Sequence, residues 1–329
     1  MLITYTLQHL AVDGICGAAL AAYAVREEFL EPIIFYFALY NLLAFGLQAA
    51  AGFFLDKHEK FLRAAFVVSL VALGLGIFSA PEIFAQVIFL GVGNCLFHVT
   101  AGSIVLRSFK TYKELGLFVS SGAIGLALGL NQLVDAKIFL VIYFALTCYI
   151  LTNFKPENLP SPEIFSGQKN SGKSFFAAVS CAILLLSCVI MRGFGGGGTS
   201  AEFVMLFPII FAAGKILGGV CCDKLGWQNT ILLIFVAGFS SLQFEGLVPL
   251  AVLTLTFNMT MPLTLRLLHF CNPRCPGLMF GLAAGCLLPG AFFKENFTVA
   301  VQAMVVIQFL ILFVAWKIFS RKNLAVEAA

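Results

Sequence analysis

The chain has 329 residues, of which 60% are hydrophobic and 11% charged, with 36 phenylalanines and a formal net charge of +4. Soluble domains carry about 25% charged residues, so this composition excludes a chain built of water-facing domains and makes lipid its main solvent. The small positive balance sits in short segments between apolar runs, which excludes a broad basic face, and no nucleic-acid partner is expected.

A bilayer-crossing helix needs roughly 20 mostly apolar residues. Such runs predict twelve helices, at 3–25, 32–55, 61–80, 83–106, 112–133, 137–153, 174–193, 200–221, 228–243, 247–269, 276–292 and 297–318. Pro208, Pro262 and Pro289 are expected bends, since neighbouring helices can satisfy displaced backbone groups. The first run lacks a basic leader and is read as a span rather than a cleaved signal peptide.

Within that first run, His9 and Asp13 are four residues apart and therefore share a helix face. An unpaired charge in the bilayer is costly, so that face should meet the protein interior, a partner or a wet cavity. Asp13 is the first candidate proton carrier, with His9 tuning its charge; a structural polar clamp is the alternative. Gln48 in the second run is a possible lining group. Between the second and third runs lies the charged turn Gly52-Phe-Phe-Leu-Asp56-Lys57-His-Glu-Lys60.

The fourth run repeats the four-residue spacing with Asn94 and His98. Together they can present an amide and an imidazole to a central cleft, to serve a substrate or a proton, or instead to link helices by hydrogen bonds. Asn131 and Gln132 close the fifth run. The segment 154–173 is the one long polar connection, and its Pro, Gly and Ser content suits a linker between two halves.

In the second half, Arg192 precedes a glycine-rich stretch ending in four consecutive glycines, Gly195 to Gly198. An anionic substrate meeting Arg192 and a bending outer gate is one reading; a snorkelling arginine on a flexible loop is the other. Lys215 is expected to snorkel to the inner interface, the alternative being a pairing with an acid at the gate. A second charged turn follows, Gly219-Val-Cys-Cys-Asp223-Lys224-Leu-Gly226, and Asn258, Thr260 and Thr264 then accompany Pro262 as possible lining groups. Phe53, Phe54, Phe97, Phe194 and Phe257 are candidate apolar contacts for an amphipathic solute. Ten cysteines, mostly inside apolar runs, show no disulfide framework; Cys271-Asn-Pro-Arg-Cys275 lacks a second pair, so no metal site is expected.

Lysines and arginines gather between alternate spans, among them Lys57, Lys60, Arg107, Lys155, Lys224 and Arg274, while the opposite ends hold Arg26, Lys137, Arg192 and Lys294. That asymmetry places both termini in the cytoplasm.

The paired turns resemble the signature of the major facilitator superfamily, of approximate form Gly-x-Leu-Ala-Asp-Arg-x-Gly-Arg, found after the second and eighth spans. Gly52 and Gly219 match its leading glycine, Asp56 and Asp223 its acid, Lys57 and Lys224 its first base. The second copy keeps Gly226 where the first has Glu59. The resemblance implies a gate: close helix approach at the glycines, acids meeting amides at facing helix ends, and contacts that break as two halves rock. His9-Leu-Ala-Val-Asp13 and Gly91-Val-Gly-Asn94-Cys-Leu-Phe97-His98 resemble segments of fosmidomycin-resistance-like efflux proteins in that superfamily, with Val99 in place of the proline that often follows the histidine.

The expectation is an all-α polytopic membrane protein, with twelve transmembrane helices in two six-helix bundles. Its parts are an N-terminal bundle at 1–153, a cytoplasmic linker at 154–173, a C-terminal bundle at 174–320 and a short cytoplasmic tail at 321–329. It would be a secondary active transporter, not an enzyme, in a plasma membrane of bacterial inner-membrane type. It would export a small organic solute in exchange for protons, function as a monomer among lipids and need no cofactor. The runners-up are an importer of an organic anion or metabolite and a transporter-derived receptor.

Overall fold

A computed structural model describes residues 1–24, 33–78, 82–160, 172–195, 205–293 and 301–327. Helix α1 (Leu2–Ala24) is followed by α2 (Ile33–Asn41), which passes through a π-helical turn at Leu42–Gly46 into α3 (Gln48–Lys57). Then come α4 (Leu62–Phe78), α5 (Ile83–Ser108), α6 (Tyr112–Leu130) and α7 (Ala136–Asn153). The later helices are α8 (Gly172–Gly195), α9 (Leu206–Ser241), α10 (Leu247–Cys271), α11 (Pro276–Gly285), α12 (Leu288–Phe293) and α13 (Val301–Glu327). No strand occurs among the described residues.

Eight helices among the described residues are long and apolar enough to cross a membrane: α2 with α3 as one unit, α4 with its leading turn, and α5 to α10. Pro276–Gly290 and Ala303–Ile318 are shorter apolar helices. The runs expected at 200–221 and 228–243 correspond to the two helical arms of α9, which meet at Gly226, where a φ of 76° and a ψ of 170° break the helix. That backbone conformation is nearly exclusive to glycine, so the last glycine of the second charged turn is where the chain bends. Pro208 stands in the first turn of α9 rather than at a bend, Pro289 lies just past the break between α11 and α12, and Pro262 is interior to α10. Helix α13 runs past residue 320 to Glu327, into the stretch expected as a tail.

Exposed large side chains such as Val67 and Val71 on α4, and Val141 and Phe144 on α7, give these helices an apolar outer face. Tyr5, Phe66, Phe97 and Tyr143 are wholly buried between α1, α4, α5 and α7. Polar links tie that group: the Tyr143 hydroxyl donates to Ser69 Oγ at 2.9 Å, and Ser69 Oγ donates to the Gly93 carbonyl at 2.6 Å. Helix α1 packs along α6 at backbone contact, because a Cβ at Gly125 would collide with the Leu10 carbonyl and one at Gly129 with that of Gly14. This is small-residue packing, in which dispersion replaces the hydrophobic drive that lipid removes.

Helix α1 also packs on α7 and α5, and α4 on α5 and α7; in the second half, α9 packs on α10, and α8 on α10, α12 and α13. The two sets meet where α6 lies against α9, and where α3 and α5 lie against α11.

Candidate functional site

A cavity of about 820 Å³ lies between the two sets, lined by residues of α1, the π-helical turn, α3, α5 and α6 on one side and of α8 to α11 on the other. Its lining includes His9, Asp13 and Lys215 and extends to Leu130, Asn131 and Leu287. Leu130 is the last residue of α6, at the opposite end from Tyr112.

The first wall carries a three-residue polar cluster. His9 Nε2 lies 3.3 Å from Asp13 Oδ2, and His98 Nε2 lies 3.4 Å from Asp13 Oδ1. Asn94 Nδ2 donates to Asp13 Oδ1 at 3.3 Å. The two imidazoles face each other, Nε2 to Nε2, at 3.0 Å. Each ring's other nitrogen is already committed: His9 Nδ1 to the Phe118 carbonyl at 2.8 Å, and His98 Nδ1 to the Asn94 carbonyl at 2.9 Å. A carbonyl only accepts, so both Nδ1 atoms carry their protons, and in the neutral pair both Nε2 atoms present lone pairs. One added proton turns that lone-pair contact into an N–H···N bond, and the Asp13 carboxylate beside both nitrogens balances its charge.

The same three side chains offer ligand atoms within 4.8 Å of one another, a set with metal-binding chemistry. A tetrahedral metal with bonds of about 2.0–2.1 Å holds its ligand atoms about 3.3 Å apart. The two histidine–Asp13 separations, 3.3 and 3.4 Å, match that spacing, while the imidazole nitrogens, at 3.0 Å, stand at hydrogen-bond distance and also suit a bridging proton.

Gly122 of α6 makes room for this cluster. A Cβ there would overlap Asp13 Oδ2 and His9 Nε2. The sequence offers no signal for this role, since Gly122 is one of several small residues in α6.

The opposite wall is cationic. Arg192, only 6% exposed, donates from Nη1 to Thr264 Oγ1 at 3.4 Å, and Lys215 Nζ donates to the Val119 carbonyl at 3.0 Å. Lys215 therefore reaches across to α6 and lines the cavity rather than snorkelling. Between the two poles the surface is apolar, with Phe45, Phe207, Phe211 and Phe280 as its aromatic faces. These are not the phenylalanines singled out in the sequence: Phe97 and Phe257 are buried in helix packing, and Phe53 and Phe54 are exposed. Phe194, half-buried, packs with Leu253, Phe257 and Val305 and is not in the lining.

Of the other candidates, Gln48 and Asn131 line the cavity, whereas Asn94, Asn258 and Gln132 do not. Asn94 stands behind Asp13, Asn258 turns its amide back to the Thr254 carbonyl, and Gln132 is an exposed residue with a φ of 52°. Gln48 donates to the Ala44 carbonyl at 2.7 Å, which leaves its buried Oε1 without a hydrogen-bond partner. The stretch 196–199, which holds three of the four consecutive glycines, lies outside the described residues.

At the far end from Leu130, the two charged turns make matching contacts. Asp56 accepts the Gly277 amide at Oδ1 (2.9 Å) and the Leu278 amide at Oδ2 (2.8 Å). Asp223 accepts the Tyr112 amide at Oδ1 (2.9 Å) and the Lys113 amide at Oδ2 (2.8 Å). Each aspartate thus binds the first free amides of a helix in the other set, where the helix dipole favours negative charge. Gly52 and Gly219 allow the approach, since a Cβ at either would strike the backbone of Gly277 or Tyr112. The neighbouring lysines do not bridge the interface: Lys57 Nζ lies 5.4 Å from the Phe53 ring centroid, and Lys224 is exposed.

Two further cations tie this end. Arg266 of α10 donates to the Leu106, Phe109 and Thr111 carbonyls at the close of α5, and Arg107 pairs with Glu59 at 2.7 Å. Glu59, the residue that departs from the signature's glycine, thus has an ion-pair role that the sequence did not indicate.

No protein-family model matches the chain, and no curated protein matches it. Among solved structures, a variant of the E. coli fucose:proton symporter FucP superposes with a TM-score of 0.63 at 10% identity, over 98% of this chain and 97% of that one. FucP, described as a major facilitator superfamily transporter in the outward conformation, gives 0.62 at 10% identity over 97% and 99%. A bacterial homologue of the iron transporter ferroportin, in an outward-facing state with soaked iron, gives 0.53 at 15% identity over 98% and 99%. The chain has the fold of these polytopic transport proteins along essentially its whole length.

Proposed function

We propose that this protein is a secondary active transporter that carries a small organic solute through the cavity by alternating access and couples the movement to protons at His9, Asp13 and His98. The observation that carries the reading is the imidazole pair, 3.0 Å apart at Nε2 with both Nδ1 protons fixed. It is a place for one proton, beside a carboxylate, on the wall of a cavity large enough for a metabolite-sized solute.

In this reading twelve spans form two bundles of six, counting α1, both arms of α9, α11 with α12, and α13 as spans. The linker divides the bundles near residues 154–173, both termini face the cytoplasm of a bacterial inner membrane, and the monomer is the transport unit. The Asp56 and Asp223 contacts close the cytoplasmic side, leaving the cavity open outward, the state in which FucP and the ferroportin homologue were captured. Rocking of the bundles breaks both aspartate contacts and exposes the cavity to the other side. Asn94 fixes Asp13, while Gln48, Asn131 and Arg192 meet the solute.

Export by proton antiport is the direction implied by the resemblance of the His9–Asp13 and Asn94–His98 segments to efflux proteins. Uptake of an organic anion together with a proton is the second reading, favoured by Arg192 and Lys215 on the cavity wall. An imposed pH gradient across proteoliposomes tests both. Under antiport, solute moves against the proton gradient; under symport, it moves with it. Solute movement indifferent to the pH gradient would overturn proton coupling.

A further inference from the structure

Among the described residues, the cavity lining has one carboxylate, Asp13, and two cations, Arg192 and Lys215. Asp13 is engaged by His9, His98 and Asn94. Among the described residues the ion pairs are His9–Asp13, His98–Asp13 and Arg107–Glu59, and neither Arg192 nor Lys215 belongs to one. The Arg192 guanidinium has five N–H donors, and its one side-chain contact is the 3.4 Å bond to Thr264. Lys215 Nζ donates to a backbone carbonyl, and Asp13, though within electrostatic reach, makes no ion-pair contact with it.

A charge removed from water is costly unless an opposite charge meets it. Two such cations on one wall of a cavity, with the protein's own carboxylate held against the other wall, define a site for a ligand that brings its own negative charge. Phe207 and Phe211 on α9, with Phe45 and Phe280 also in the lining, then require an apolar body. Gln48, fully buried, adds a third element: its unpartnered Oε1 is an acceptor suited to a hydroxyl or amide N–H on that body.

We infer that the solute is an amphipathic organic carboxylate whose acid group binds between Arg192 and Lys215, with an aromatic or aliphatic body against the phenylalanines and a hydrogen-bond donor to Gln48. The planar carboxylate matches the guanidinium fork, and the lysine supplies the second charge. This assignment deepens the proposed function, because it rests on the cavity being the solute site. It gives Lys215 a direct binding role.

The test is ligand-induced thermal stabilisation of the purified full-length protein, read as apparent affinity. The probes are salicylate and a series of monocarboxylates of increasing apolar length, with salicylamide as the uncharged counterpart and tetraphenylphosphonium as the cationic one. The expected result is stabilisation by one or more carboxylates and not by the amide or the phosphonium. Arg192→Gln and Lys215→Gln each weaken the carboxylate at least tenfold, while Arg192→Lys and Lys215→Arg retain more of the affinity than the glutamine variants. The charge-preserving pair keeps the test valid if a glutamine variant folds poorly.

Equal stabilisation by salicylamide, stabilisation by the phosphonium alone, or no response to any carboxylate would overturn the assignment. Ala123→Trp separates this failure from failure of the transport reading, since it puts an indole on the cavity wall and leaves both cations in place. Carboxylate binding that survives Ala123→Trp would show the cavity is not the solute site. Loss of all binding in Ala123→Trp, with neutral solutes preferred by the parent, would keep the cavity and remove the anion.

Discussion

His9 and His98 approach each other through their Nε2 atoms at 3.0 Å, while their Nδ1 atoms are held by carbonyls of α6 and α5. The pair joins α1 to α5 through a contact that only an added proton makes attractive. His98→Gln retains polar groups near Asp13 but removes the ring that takes up the proton. Solute-linked proton flux in proteoliposomes is expected to fall at least tenfold, with solute exchange at equal pH still measurable. Unchanged flux would show that the imidazole is not required.

Gly122→Ala tests whether the cluster depends on its packing. The added methyl overlaps Asp13 Oδ2 and His9 Nε2, so the cluster must open or α1 must move away from α6. Overpacking of this kind costs about 1–3 kcal/mol. The expected result is a lower melting temperature together with loss of proton coupling. Gly74→Ala, where a Cβ meets nothing within 4 Å, is the control and leaves both unchanged.

The Asp56 and Asp223 contacts predict a shift in conformational population. Asn in place of either aspartate keeps one acceptor oxygen and loses the charge that favours a helix N-terminus, worth up to about 2 kcal/mol in a partly buried setting. For Asp56→Asn that corresponds to a shift of up to about thirtyfold toward the state with the cytoplasmic side open. A cysteine placed at Ala123 in the cavity should then label faster with a cytoplasmic reagent and more slowly with an external one. Labelling indistinguishable from that of the parent would remove the gate from the account.

Gly226→Ala places a side chain at a φ of 76°. No neighbour lies within 4 Å of the new Cβ, so any effect comes from the backbone, at about 1–3 kcal/mol. Chemical denaturation in detergent should show a loss of that order. No loss would mean the bend between the arms of α9 is made elsewhere.

The polytopic helical fold was legible because the bilayer imposes a length and a polarity on each run, and the His9–Asp13 and Asn94–His98 pairs were legible as four-residue spacings on helices. How closely the two pairs meet was not, because α1 and α5 are brought together by direct tertiary packing, which the spacing does not encode. Lys215 was misjudged for the same reason: within α9 it looks like an interfacial lysine, and only the contact with Val119 of α6 turns it to the cavity. Arg266, inside the run predicted at 247–269, is 3% exposed and binds the carbonyl end of α5, a contact that no sequence pattern marks. The phenylalanines of the cavity could not be chosen from among 36 in the sequence, since apolar side chains facing lipid, core and solute are chemically alike.

The most direct test of the account is internal pH in proteoliposomes under a clamped membrane potential, with an organic carboxylate that stabilises the protein supplied as solute, for the parent and Asp13→Asn. The account predicts solute-dependent proton movement in the parent and none in Asp13→Asn, with the variant still exchanging labelled solute. Proton movement of the same size in Asp13→Asn would contradict the central claim that the His9–Asp13–His98 cluster carries the coupled proton.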